Sequence, residues 1–394
     1  MTLRSLFPQL SEQVYGKPLV YLDNAATALR PQSVIDCWKE LSERKNANLH
    51  RAVHYTAEVA TAAFEDARDA VRAFIGAASR EEVIFTSGAT HSLNLAAFSF
   101  SEAFVKEGDE VLVDENSHHS NIVPWQLMCQ RKGAVLKHFD PQEDIAPLLS
   151  EKTRIVAVTH ISNVLGVVNP VGRIVAAAHA KGIPVLVDGA QGIVHSKVDV
   201  TALDCDFYAF SGHKMYAAPG TGVLYCKRSL LEQLPPYMSG GEMVGTVSWN
   251  GTTFAPLPHR FEAGTQNMAG IPTFVPAIEV MREMEAPEVR AEQKAIVDYL
   301  LEALPAIPGL TLYGQGERIP LFSISIKGAH HEDLALILDK MGVAVRSGQM
   351  CAEPLMDKMG VSGMLRASFA PYNTLAEAEY FISSLRKAVT MLTK

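Results

Sequence analysis

From residue 82 the chain alternates between short, almost wholly apolar runs and longer stretches whose apolar positions recur every three to four residues. The pattern predicts strands over 82–85, 110–113, 134–139, 154–159 and 184–187, separated by helices over 90–104, 122–131, 145–149 and 171–180. Two further apolar runs, 207–210 and 222–225, flank a polar, Pro/Gly-containing turn. Near-continuous apolar strands separated by helices mean a mostly parallel sheet covered on both faces, an α/β fold. Upstream lie an N-terminal arm to Lys17, a short strand over 19–22 and an Ala-rich helix over 58–74 that ends near Gly76.

Beyond Glu262 the pattern changes to helices over 271–284 and 288–304, strands over 321–326 and 343–345 around a helix at 332–341, a strand at 366–369 and a closing helix over 376–391. This predicts a large domain over 18–270 and a smaller α/β domain over 271–394, with the arm 1–17 packing on the smaller one. No internal repeat or low-complexity segment interrupts the chain.

Ligands of parallel sheets bind at the carboxyl ends of the strands, so the loops that follow the strands are where chemistry is expected. Thr86 to His91 is a small-residue turn opening a helix, suited to a phosphate, although Thr and Ser there are more often ordinary caps. Asp114 to Asn121 carries His118 and His119, which read as functional or simply solvated. His160 to Asn163 follows the next strand. Asp188 ends a buried strand with Gln191 three residues on, a stronger candidate pair. Ser211-Gly212-His213-Lys214 ends the 207–210 strand. A lysine there is either a loop-surface residue or an amine whose pKa burial lowers toward nucleophilic or Schiff-base chemistry. In the smaller domain, Arg346 to Pro354 places Cys351 on a glycine-containing loop, although an isolated cysteine is usually a small buried hydrophobe. Arg366, in an apolar context, wants a planar anion such as a carboxylate.

Composition narrows the class. With 394 residues, 48% hydrophobic, the chain can bury a large core, and 43 acidic against 35 basic residues give a net charge of −8. That balance argues against nucleic acid or an anionic membrane surface as partner. No signal peptide and no run of 18 apolar residues is present, so a cytoplasmic protein is expected. Five scattered cysteines without a CxxC pair or a Cys/His cluster signal neither a disulfide framework nor a metal site.

A lysine for an imine, an aspartate for a ring nitrogen, a phosphate cradle and a flat group for a ring converge on pyridoxal phosphate. The stretches LDNAAT (22–27), NLHRAVH (48–54), SGAT (87–90), SHHSNIVPW (117–125), HISNVLG (160–166), VDGAQG (187–192), SGHK (211–214), FEAGTQN (261–267), RSGQMCAEP (346–354) and LRASFAPYNT (365–374) together resemble the SUF-type, group II cysteine desulfurases. These are class V aminotransferase-like pyridoxal phosphate enzymes of fold type I. The resemblance spans nearly the whole chain and implies a large domain with a mostly parallel seven-stranded sheet.

It further implies that Lys214 is the imine-forming lysine, that Asp188 pairs with the ring nitrogen, that His118 stacks on the ring and that Gln191 donates to its hydroxyl. Thr90, Ser211 and His213 match phosphate ligands, and Thr265 one that arrives from the other subunit of a homodimer. Asn163 and Arg366 match substrate-holding positions, Arg366 at the carboxylate, and Cys351 matches the nucleophile. The activity implied is conversion of L-cysteine to L-alanine, leaving a persulfide on Cys351 for a SUF-type acceptor protein in iron–sulfur cluster assembly or related sulfur trafficking. A selenocysteine lyase, a class V aminotransferase and a sulfur-relay scaffold are the competing readings. Three departures stand out: Ala217-Ala218 displaces the proline after Tyr216, Gln349-Met350 stands where the family carries at least one histidine, and the connection 140–152 is short.

Overall fold

The computed structural model describes residues 3–50 and 53–393. The chain forms two compact units. The larger spans Ser33–His160 and Asn169–Ile278; the smaller takes the N-terminal segment ending at Gln32, the short stretch Ile161–Val168 and everything from Glu279 onward. Positions 51 and 52 of the NLHRAVH stretch lie outside the described residues.

The larger unit is built on seven strands: β1 (Val83–Thr86), β2 (Glu110–Asp114), β3 (Val135–Phe139), β4 (Thr153–Thr159), β5 (Val185–Asp188), β6 (Phe207–Ser211) and β7 (Gly222–Cys226). Their order across the sheet is β1-β7-β6-β5-β4-β2-β3. β7 runs antiparallel to both β1 and β6, and the other neighbouring pairs are parallel. Six strands therefore share one direction, and their carboxyl ends share one edge. β1, β2, β5, β6 and β7 are buried at every position, as strands covered on both faces must be. The helices α1 (Tyr55–Phe74), α2 (Ala89–Phe104), α3 (Val123–Lys132) and α4 (Val171–His179) fall where the periodicity predicts them. The stretch 145–149 is instead a single 3-10 turn, Ala146–Leu148, with Pro147 inside it.

The smaller unit holds the antiparallel strands β8 (Leu310–Leu312), β9 (Leu321–Ile326), β10 (Arg346–Gly348) and β11 (Met364–Ser368), ordered β8-β9-β11-β10. The helices α5 (Pro287–Ala303), α6 (His331–Lys340), α7 (Glu353–Met359) and α8 (Leu375–Leu392) accompany it. Its core gathers Ile296, Leu300, Leu334, Leu338, Phe381 and Leu385 from α5, α6 and α8 against Phe322, Ile324 and Leu365 of the sheet. Val20–Tyr21 of the N-terminal segment pairs in parallel with Val343–Ala344. The arrangement corrects one expectation: Arg346–Gly348 is a strand, not loop, so Cys351 stands only three residues past a sheet edge. Among the described residues, no helix is long and apolar enough to cross a membrane.

Candidate active site

At the shared edge of the large sheet, Thr86, Asp114, Thr159, Asp188 and Ser211 end five parallel strands, and each is at least nine-tenths buried. Burying polar groups in a row is costly unless they are used or paired. Asp188 accepts from Ala190 N at 3.0 Å. Burial pushes its carboxyl above the ordinary value, while the Ala190 N–H and the charge of Lys214 pull the other way. Lys214 closes the 3-10 turn Gly212–Lys214 directly after β6 and is half-buried, and His213 precedes it in the same turn. Gln191, buried, follows the Asp188 turn.

Ser211 Oγ accepts from Ala89 N at 2.7 Å, binding the end of β6 to the start of α2. Thr90, next in that helix, shares a hydrogen bond of 2.8 Å with Ser120 Oγ, and Ser120 N donates to His118 Nδ1 at 3.0 Å. Ser211, Thr90 and His118 thus form one connected rim around a helix N-terminus, where backbone N–H groups and the helix dipole favour an anion. The rim closes tightly because Gly88 and Gly222 meet across it. A Cβ on Gly222 would lie 2.4 Å from the Gly88 Cα, and Gly88 itself has φ +151°. Thr265 stands exposed on the 263–267 loop.

Two further residues shape this edge. Asp114 takes Thr159 N at 2.6 Å, Ser117 Oγ at 2.7 Å and Asn116 N at 2.8 Å, fixing the loop that carries His118; burial raises its pKa to about 6. It carries the sequence signal that marks Asp188, an aspartate ending an apolar strand. His160 Nδ1 lies 2.9 Å from the Tyr208 hydroxyl, and burial lowers its pKa to about 4. Ala217 and Ala218, the departure after Lys214, are fully buried, and Thr273 Oγ1 accepts from Ala218 N at 3.0 Å.

Elsewhere in the larger unit, His50, Glu65 and His259 bring ligand atoms within 4.8 Å of one another. Both Glu65 oxygens are already held by arginines: Oε1 by Arg68, Oε2 by Arg68 and Arg80. Cations so placed oppose a metal ion, and the group is an ion-pair network. It extends to Glu262 of the FEAGTQN stretch, which meets Arg68 at 2.7 and 2.9 Å and accepts from Phe85 N at 2.7 Å.

The remaining candidates belong to the smaller unit. Arg366 lies in the middle of β11, and in the register of the sheet it stands directly opposite Arg346. Like charges across a strand pair repel, and Asp23 lies between them, with Oδ2 at 2.8 Å from Arg346 Nη2 and Oδ1 at 3.2 Å from Arg366 Nη2. Arg366 Nη1 donates to Asn163 O at 2.8 Å, and Asn163 Nδ2 to Met350 O at 2.9 Å. Arg366 Nε and Asn163 Oδ1 are buried and have no hydrogen-bond partner. Two orphaned polar groups of complementary sense, on residues already joined by the Arg366–Asn163 hydrogen bond, are suited to a polar ligand. Cys351 follows Met350 and is exposed.

Residues 20–381 match the family model of class-V aminotransferases, and the chain belongs to that family. Among its relatives is a protein of Vibrio cholerae named "Probable cysteine desulfurase", 45% identical, with the match covering 99% of this chain and 98% of that one. A cysteine desulfurase of Pectobacterium carotovorum is 43% identical over the same shares. The crystal structure of the cysteine desulfurase CsdA (S-sulfonic acid) from Escherichia coli superposes with a TM-score of 0.90 at 36% identity, covering 99% of this chain and 98% of that one. The expected α/β architecture of fold type I, with its seven-stranded sheet, is borne out.

Proposed function

We propose that the protein is a pyridoxal-phosphate-dependent cysteine desulfurase that converts L-cysteine to L-alanine and carries the sulfur away as a persulfide on Cys351. The observation that carries this reading is an exposed thiol whose neighbour is tied to Asn163, itself bonded to the buried guanidinium of Arg366. A carboxylate anchor and a sulfur nucleophile in one unit suit an amino acid that bears its own sulfur. Full-length relatives named cysteine desulfurase support it.

The larger unit fits the cofactor by its donor chemistry. The Ser211–Thr90–His118 rim suits the phosphate, with His213 beside it, and the buried Asp188 carboxylate suits a cationic ring nitrogen that would offset its desolvation. Gln191 is assigned to the ring hydroxyl and His118 to the ring face. Pyridoxal phosphate, when bound, supplies the lysine-linked carbonyl and the electron sink for the substrate's α-carbon. Asp188 holds the proton on the ring nitrogen, and Lys214 Nζ takes the proton from the α-carbon. Arg366 and Asn163 hold the substrate carboxylate. The Cys351 thiolate attacks the substrate sulfur: an S–S bond forms, the Cβ–S bond breaks, and its electron pair stays on Cβ, which is protonated to the alanine methyl.

Within the same proposal, Thr265 serves a second copy of the chain in a homodimer, and the persulfide passes to a SUF-type acceptor for iron–sulfur cluster assembly or related sulfur trafficking in the cytoplasm. The division into an 18–270 cofactor-binding domain and a 271–394 domain joined by the 1–17 arm belongs to this reading as well. The test is alanine release from L-cysteine by the yellow holoenzyme and by Cys351→Ser. Loss in the variant supports the desulfurase; release at the parent's rate overturns it. Consumption of a 2-oxo acid with formation of a new amino acid would instead establish a transaminase.

A further inference from the structure

Cys351 is exposed, yet the residues on either side of it, Met350 and Ala352, are buried. Met350 and Cys351 both adopt left-handed backbone angles, with φ +55° and +56°. Neither is glycine or asparagine, so the conformation costs free energy and persists only where surrounding contacts impose it. Two such contacts converge on Met350. Its side chain packs into a cluster with Val164, Leu165, Val167, Leu355 and Met356. Its carbonyl accepts from Asn163 Nδ2.

Asn163 can bear that load because its own backbone is fixed. It lies on a tight hairpin in which Ile161 bridges Val168, Ser162 N donates to Val167 O at 3.0 Å and Gly166 N to Ser162 O at 2.9 Å. Ser323 Oγ donates to Val164 O and Ile319 N to Gly166 O, attaching the hairpin to β9 and the segment before it. The same amide has its Oδ1 buried and unpartnered, and the carbonyl of Asn163 receives Arg366. One residue thus touches the nucleophile's loop with its donor, the carboxylate anchor with its backbone, and no protein group with its acceptor.

We propose that Asn163 is a positioning residue for the nucleophile: its Nδ2 tethers the Met350 carbonyl, holding Cys351 in the strained turn, and substrate engaging Arg366 and the amide changes that tether and with it the reach of the thiol. This rests on the desulfurase reading and adds a coupling between substrate subsite and nucleophile. Binding and thiol reactivity are then linked through one side chain.

The experiment reads Cys351 directly. The holoenzyme is treated with iodoacetamide, with and without saturating L-alanine, and the alkylation rate at the Cys351 peptide is followed by mass spectrometry for the parent, Asn163→Asp and Met350→Ala. Asn163→Asp keeps the shape and the acceptor but cannot donate to a carbonyl. The expected result is a rate about fivefold above the parent without alanine, the factor one neutral hydrogen bond supplies, and no further response to alanine. Met350→Ala, which leaves Asn163 intact, should also raise the resting rate. In turnover Asn163→Asp should lower kcat beyond any rise in KM. An Asn163→Asp resting rate equal to the parent's overturns the proposal and leaves Asn163 as a substrate contact only. Should Asn163→Asp not bind cofactor, Asn163→Ser is read by the same criteria. The resting rates involve no L-cysteine, so their outcome is independent of the desulfurase reading, which fails separately if the parent releases no alanine.

Discussion

Asp188 and Ser211 in the larger unit and Cys351 in the smaller are held in different ways. The first two end fully buried strands and take their places from register: Asp188 opposite Thr159 and Ala209, Ser211 opposite Gly222. Moving either would mean breaking several ladder bonds at once. Cys351 has no ladder. It sits past a three-residue strand, in a strained turn that Ala352 N closes on Gln349 O at 3.0 Å and that the Asn163 amide and the Met350 side chain anchor. A cofactor whose electronics depend on fixed partners belongs on the rigid element, whereas a thiol that must attack and then surrender its sulfur can sit on a turn that side chains tune. Substitutions in the smaller unit should therefore alter sulfur chemistry while leaving the cofactor in place, and substitutions at the sheet edge should disturb both.

The largest effect tests that separation. Lys214→Ala and Cys351→Ser should each lower alanine release by at least about 10³-fold, but only Lys214→Ala should change the visible absorption of the purified holoenzyme. Identical spectra for both variants, or a lost chromophore in Cys351→Ser, would break the division between the two regions.

Arg68 supports the sheet edge from behind, through Glu262 and the Phe85 backbone. Burial pushes the Glu262 carboxyl up, but Arg68, His259 and the Phe85 N–H together outweigh it and hold the group below its ordinary value, so it remains charged. Arg68→Met strands that charge and should cost about 3–5 kcal/mol in denaturant unfolding, whereas Arg68→Met with Glu262→Gln should recover part of the loss. A single variant as stable as the parent would mean that the pair does not support the edge.

His160 and Asp114 give this edge opposed responses to pH. Folded His160, lowered to about 4 from 6.5, binds fewer protons than the unfolded chain across that interval. Its contribution to stability is therefore lost as pH falls from 6.5 to 4, by about 3 kcal/mol in all. Folded Asp114, raised to about 6 from 3.8, binds more protons than the unfolded chain there, so its contribution grows by about 3 kcal/mol as pH falls. The two largely offset. Relative to the parent, His160→Gln should gain stability on acidification and Asp114→Asn should lose it. Urea unfolding measured at several pH values checks this, and parallel curves for all three proteins would sink it.

What the sequence revealed follows the same contrast. The sheet was legible because each buried strand is an apolar run, and the polar residue ending it marks the candidate edge. Legibility failed where no pattern is imposed by burial. The helix Gln32–Arg44 buries only Val34 and Leu41. The hairpin Val244–Ser248 with Gly251–Phe254 is exposed along nearly its whole length, so it shows no alternation. Arg346–Gly348 is a strand by pairing alone. The place of Asp23 between two arginines could not be read either, because 343 residues separate it from Arg366 and only the fold brings them together.

The smallest effect lies in the smaller unit and asks whether its local side-chain contacts carry weight generally. α8 begins with a reciprocal cap: Thr374 Oγ1 accepts from Glu377 N at 3.3 Å, and Glu377 Oε2 accepts from Thr374 N at 3.1 Å and from Asn373 Nδ2 at 2.9 Å. The helix then buries Ala378, Phe381, Leu385 and Ala388 in the core. Thr374→Ala leaves those apolar contacts intact and removes only the acceptor, so it should cost about 1 kcal/mol. Thr374→Asp keeps an acceptor and adds a negative charge at the helix N-terminus, and should cost little. Hydrogen exchange in the first turn of α8 reads the difference locally, where a global melt of a two-unit chain would blur it. Faster exchange in Thr374→Ala with parent-like protection in Thr374→Asp is the expected outcome. Equal loss in both would show that burial alone holds this helix, as register holds the sheet, and that dependence on single polar contacts is confined to the turn bearing Cys351.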